Sequence, residues 1–186
     1  MSFNVLVIPE DQTLNGYILK PLAEAIVTDA GKPQANITVL PKPRLNGYSA
    51  AHDAILRGEL DDRYRHFDLW LFMPDADLAT DGAMNNLEGA LAKRGIRLLC
   101  CPAQPEVEIY ACLAYRDEFE WVQARASTSM KEDFFKGLLQ RHGDPRRPGG
   151  GRDLMIQKSL ENLQTLYTFC PELARLRDRI ITKETP

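Results

Sequence analysis

Five acidic residues each follow closely on an apolar run, and their types and spacing suit one kind of chemistry. Glu10 comes directly after Asn4-Val5-Leu6-Val7-Ile8-Pro9. Asp75 and Asp77 form a D-x-D just past Phe67 to Met73, the most apolar run in the chain, and Glu106 and Glu108 follow the run that ends at Cys101. In an extended D-x-D alternate side chains point the same way, so Asp75 and Asp77 can face one ion. Mg²⁺ is a hard cation that prefers oxygen and is usually held by one or two carboxylates plus waters and substrate phosphates. A third carboxylate from another strand end can complete such a site or serve as a general base. Left unpaired, the cluster repels itself, which favours a bound cation. The same residues also have an ordinary reading, because acidic side chains are common at strand ends and at helix starts, where they cap or meet the dipole.

The elements that must position these carboxylates can be read from hydrophobic pattern. Residues 4–8, 37–40, 67–73 and 96–101 are short, apolar, β-rich runs closed by Pro9, Pro41, Pro74 and Pro102, as expected of buried strands. Between them lie helical patterns: Thr13 as a cap followed by a helix to Ala30, then Tyr48 to Leu56, Met84 to Arg94, and Glu106 to Tyr115. Pro21 predicts a kink in the first of these, or a start near Lys20. The β-α alternation predicts an α/β domain with a mainly parallel sheet and right-handed crossovers. In such sheets ligands sit beyond the carboxyl ends of the strands, so the acidic residues would share one rim. From residue 116 onward the pattern turns helical: Lys131 to Arg141, Leu154 to Phe169, and a last helix from Pro171. The stretch from His142 to Asp153, with Gly149-Gly150-Gly151 and two prolines, predicts a mobile loop. One domain is expected over residues 1–186, with residues 1–115 as the α/β core and 116–186 as a helical extension.

Composition narrows the class. The chain has 186 residues, 44% hydrophobic and 26% charged, as expected of a globular domain. No apolar run is long enough to span a membrane, and the first residues lack the basic, apolar character of a secretory signal, so a soluble cytoplasmic protein is expected. Cys100, Cys101, Cys112 and Cys170 sit in apolar contexts without zinc spacing and read as buried thiols. His52, His66 and His142 are dispersed, no nucleophile-base pattern is legible, and the triple glycine lacks the ending of a phosphate-binding Walker loop. The net charge of −3 gives no global attraction to nucleic acid, so such a partner needs a local basic patch. Arg141, Arg146, Arg147 and Arg152 around the glycine-rich loop are candidates for it, with Lys42 and Arg44 after the second strand. A solvated loop is the ordinary alternative for the former group.

The segments Ile8-Pro9-Glu10-Asp11-Gln12-Thr13 and Leu71-Phe72-Met73-Pro74-Asp75-Ala76-Asp77 are laid out as in a known group. So is Pro105-Glu106-Val107-Glu108-Ile109-Tyr110. Across residues 4–115 the chain resembles small standalone Toprim-like proteins of the DUF4276 and RloB group. Those proteins carry a strand, a Glu with Thr three residues on, a strand ending in D-x-D, and a later Glu-x-Trp. Tyr110 stands at the Trp position, which makes Glu108 the motif glutamate. Asp11 replaces the usual Gly, and Gly82 is the first glycine after the D-x-D. The resemblance implies a Toprim/Rossmann-like α/β fold, with Glu10 as catalytic glutamate and Glu10, Asp75, Asp77 and Glu108 as ligands of Mg²⁺ or Mn²⁺. It also implies nuclease or related phosphoryl-transfer chemistry on DNA or RNA, often beside a protein partner in phage defence. The alternative is a non-catalytic Toprim-like module that binds a partner protein or a nucleotide. Asp11 favours this alternative, while the retained carboxylates favour the enzyme.

Overall fold

The computed structural model describes residues 2–182. Four strands, β1 (Asn4–Pro9), β2 (Asn36–Val39), β3 (Leu69–Met73) and β4 (Leu98–Cys100), form one all-parallel sheet in the order β2-β1-β3-β4. The helices are α1 (Gly16–Asp29), α2 (Tyr48–Arg57), α3 (Asp61–Tyr64), α4 (Asp81–Ala92), α5 (Glu108–Cys112), α6 (Trp121–Ala126), α7 (Lys136–His142), α8 (Arg152–Leu160), α9 (Leu163–Phe169) and α10 (Pro171–Thr182). Among the described residues no helix is long and apolar enough to cross a membrane.

The strands are continuous apolar runs because both faces of the sheet are covered. Side chains alternate across it, so successive residues enter different cores. Leu6, Ile8, Trp70, Phe72 and Leu98 pack with Ala51, Ile55, Leu87 and Leu91 of α2 and α4. Val5, Val7, Leu69, Leu71 and Leu99 pack with Ile18, Leu22 and Ile26 of α1, and with apolar side chains of α5, α8 and the last helices. The four cysteines are buried free thiols.

Local chemistry moves several expected boundaries. Thr13 does not cap α1. The Asp11 carboxylate accepts from the Thr13 and Leu14 N–H groups at 2.7 and 3.3 Å, so the chain completes an Asx-type turn before the helix begins at Gly16. Pro21 lies inside α1, early in the helix. The helix expected to run from Leu154 to Phe169 is broken at Asn162, whose side chain accepts from Thr165 N–H at 2.9 Å and caps α9. The one expected from Glu106 to Tyr115 is the short α5 followed by a 3₁₀ turn, Leu113–Glu118. Lys131–Phe135 opens α7 with a wide π turn. His142 to Asp153 is built as a closed turn: Asp144 N–H reaches Gly150 O, Arg147 N–H reaches Asp144 O, and Gly150 N–H reaches Arg147 O.

Helix α10 is tied to the β4 edge by buried charge. Glu88 on α4, 2% exposed, accepts from the Cys100 N–H at 2.6 Å and from the Arg179 guanidinium at 2.5 and 3.1 Å. Arg97 in turn donates to Arg179 O at 2.8 Å. Removing one partner of such a pair leaves an uncompensated charge in the core. Arg179→Ala should therefore destabilise the protein by about 3 kcal/mol in urea unfolding. The double substitution Glu88→Gln/Arg179→Met should recover much of that loss. If the single and double variants were equally unstable, the pairing would not be what holds α10.

Candidate metal centre

The strand order puts a topological switch point between β1 and β3. The β1–β2 crossover, through α1, lies on one face of the sheet, and the β3–β4 crossover, through α4, lies on the other. Between those two strand ends the outgoing crossovers part in opposite directions, and such a crevice is where ligands bind in open α/β folds. Glu10 leaves β1 there, and Pro74-Asp75 leaves β3 beside it.

The β3–β4 ladder continues past both strands. Cys101 N–H donates to Phe72 O, Ala103 N–H to Pro74 O, and Ala76 N–H to Pro105 O, with Asp75 and Ala103 in a parallel bridge. This extended pairing carries the D-x-D alongside residues 103–105 and brings Glu106 and Glu108 up to Asp75. Glu10 accepts from the Asp75 N–H at 3.3 Å, and Asp75 accepts from the Val107 N–H at 2.8 Å. Glu106 accepts from the Lys131 N–H at 2.8 Å. Glu108, in the first turn of α5, is 1% exposed. One of its oxygens lies 3.5 Å from the Lys131 ammonium, and that oxygen has no hydrogen bond. Asp77 is exposed and accepts from the Leu78 N–H at 2.9 Å.

Electrostatics register the crowding. Burial, and then the charges of Glu108, Glu10 and Glu106, push the Asp75 carboxyl up to about 7, against a lowering bond from Val107. Glu10 is raised by burial and by Asp77 and Asp11, although the Asp75 and Tyr48 N–H groups oppose this. Glu106 is raised by burial, Glu108 and Asp77, against its bond to Lys131. Among the described residues, Lys131 is the only side-chain cation in an ion pair with any of the five. The donors are all oxygens, which suits a hard cation, and the unbonded Glu108 oxygen is the kind of buried atom that such an ion satisfies. Among the described residues, however, no three His, Cys, Asp or Glu side chains converge as a ready metal-holding group. Asp75, Glu106 and Asp77 are each turned toward a backbone N–H instead.

The basic candidates are scattered by comparison. Arg44 lines a cleft of about 240 Å³ together with Glu10 and Asp11, so it reaches the rim. Lys42 is exposed on the same loop. Arg141 forks onto Glu118 at 2.9 and 3.1 Å, Arg146 pairs with Asp144, and Arg147 pairs with Asp153. Arg152 is buried, donates to Gly149 O at 2.8 Å and lies over the Phe135 ring. It closes its own turn rather than facing solvent. Lys131 is the site residue that sequence reading missed. Nothing in its spacing signals the contact, because the path through the 3₁₀ turn and α6 follows no periodic pattern.

Asp75 sets a pH dependence. Its folded value lies above its ordinary 3.8, so the native state binds the proton more tightly than the unfolded chain. Its contribution to stability is complete below about 4 and is lost as pH rises to about 7. In divalent-free buffer, Asp75→Asn should match the wild type near pH 4. Near pH 8 it should be more stable by about 1–2 kcal/mol, less than the full linkage value because the rim is partly wet. Thermal unfolding across that range checks it.

No protein-family model matches the chain, and neither does any curated protein or solved structure, so the functional reading rests on the chain's own residues.

Proposed function

We propose that the chain is a Mg²⁺- or Mn²⁺-dependent phosphoryl-transfer enzyme that acts on nucleic acid, in the manner of a nuclease. The observation that carries this reading is the buried Glu108 with its unbonded oxygen. It closes a rim of five carboxylates that share a single paired cation. Asp75, Asp77, Glu10 and Glu108 would hold the ion, with Asp75 and Asp77 turning from the Val107 and Leu78 N–H groups to meet it. When bound, it polarises a phosphate oxygen and offsets the charge that builds during in-line attack. Glu10, raised chiefly by burial and then by Asp77 and Asp11, takes the proton from the attacking water. The Asp75 N–H holds the Glu10 carboxylate toward the switch point, and the Val107 N–H holds Asp75 until it turns. The resemblance to Toprim-like proteins adds a setting, phage defence beside a protein partner.

The second reading, a module that binds a nucleotide or a partner protein without catalysis, has one observation in its favour. Lys131 already faces Glu108 and can serve as the permanent counter-ion.

Calorimetric titration with Mn²⁺ and an assay of single- and double-stranded DNA and RNA separate the two. Asp75→Ala should abolish metal binding and lower cleavage by at least about 100-fold. Glu10→Gln should retain some metal binding and lose about 10²–10⁴-fold in turnover. If wild type and Asp75→Ala share the same trace activity, or none, the enzyme reading fails. Lys131→Met should destabilise the metal-free protein by about 3 kcal/mol, because Glu108 is then a lone buried charge. Under the enzyme reading Mn²⁺ restores that stability, and under the second reading it does not.

A further inference from the structure

A second cleft, of about 510 Å³, opens next to the rim between the start of α1 and the loop after β2. Gln12, Thr13 and Arg44 line both this cleft and the smaller one that holds Glu10. Its charges are one-sided: Lys20 and Arg44 line it, no carboxylate does, and neither cation has a hydrogen bond or ion pair among the described residues. The nearest acidic side chain in sequence, Asp11, is turned to the Thr13 and Leu14 N–H groups. Its aromatic wall is Tyr17, which is half-buried and has no hydroxyl partner among the described residues.

The cleft is held in shape from two sides. Gln12 donates to Pro43 O at 2.8 Å and accepts from the Leu45 N–H at 3.2 Å, so the loop carrying Arg44 is clamped to the β1 exit. On the other side, the closed turn that bears Arg146 and Arg147 seats on Tyr17. Gly149 lies so close to the ring that a Cβ there would fall 2.4 Å from a ring carbon, and its φ of +71° also favours glycine. The turn's two exposed arginines are paired with Asp144 and Asp153, so the unpaired charge of the cleft is that of Lys20 and Arg44.

We infer that this cleft binds one nucleotide of an unpaired strand, with its base against Tyr17 and its phosphates between Lys20 and Arg44, next to the phosphate that meets the carboxylate rim. The inference rests on the phosphoryl-transfer reading for what happens at the rim, and it adds the substrate class: single-stranded nucleic acid. The volume lies within the range of small-ligand clefts, and a base must leave its duplex stack to lie against an aromatic wall. Cations flanking an aromatic side chain are the usual elements of sequence-tolerant single-strand binding.

Fluorescence anisotropy in EDTA, where no metal-dependent cleavage occurs, tests it with a labelled oligothymidylate of about 10 nucleotides. The single strand should bind at least about tenfold more tightly than a duplex of equal length and than thymidine monophosphate. Lys20→Glu/Arg44→Glu, at surface positions without partners, should weaken binding about tenfold or more and flatten its salt dependence by about 1.4 in log-log slope. Tyr17→Leu should weaken binding about fivefold or more without changing that slope, and Tyr17→Phe should bind as the wild type does. Circular dichroism confirms that each variant is folded. Equal binding of duplex and single strand, equal binding of the mononucleotide, or wild-type affinity in the doubly charge-reversed variant would each overturn the inference. Mn²⁺ calorimetry on the wild type, run without oligonucleotide, reports on the rim alone, so failure of the metal reading is seen separately from failure of the cleft.

Discussion

A sheet wound outward in two directions leaves a crevice where the crossovers of two neighbouring strands part, and in this protein those strands are β1 and β3. Everything else about the candidate site depends on it. Buried parallel strands need continuous apolar runs, and such runs must end where the chain meets water. Polar side chains placed immediately after them are held by the most rigid part of the fold. Glu10 and Asp75 are fixed in that way. The ladder that runs on past β3 and β4 then imports Glu106 and Glu108 from a segment that belongs to no strand.

The arrangement carries an electrostatic penalty that the fold only partly relieves. Backbone N–H groups meet Glu10, Asp75 and Glu106, and Lys131 meets Glu108. Burial still outweighs these bonds at Asp75, whose carboxyl stays neutral well above its ordinary range. Buried ionic groups elsewhere are treated differently. Glu88 and Glu172 each receive a two-pronged arginine, Arg179 and Arg125, which neutralises the carboxylate in place. The protein therefore pairs buried acids fully where they brace α10 and leaves them underpaired at the switch point. Such a contrast between neighbouring carboxylates is the pattern expected where charge is reserved for a ligand.

Much of this was legible in the sequence for definable reasons. The four strands, their parallel sheet and the placement of Glu10 and Asp75 follow from apolar runs that are closed by prolines, a local signal strong enough to read directly. Asp75 and Asp77 share a motif but not an environment: Asp75 is held in the continued ladder, whereas Asp77 is exposed and bonded to its own turn. Period-2 reasoning assumed the extended conformation would persist through Asp77, and it does not. Helix breaks at Asn162 and before Gly16 were missed because side-chain capping by Asn162 and Asp11 competes with hydrophobic periodicity and leaves no trace in it. Lys131, Tyr17 and Lys20 were missed for another reason. Their relevance comes from contacts between segments distant in sequence, which no local pattern encodes.

The helical second half is therefore more than a cover for the sheet. At the β4 edge it supplies Arg125 and Arg179, which anchor α10 beside the end of the D-x-D ladder. At the opposite side it supplies the closed turn whose Gly149 packs on Tyr17. Between them α7, through the turn that opens it, presents Lys131 to Glu106 and Glu108. These contacts come from four separate places along residues 116–182, and all of them touch the rim or its borders. An α/β core of residues 4–115 alone would keep its strand ends, but it would lose the cation beside Glu108, the brace at β4 and the support behind Tyr17. The shape and charge of the candidate site are properties of the whole described chain.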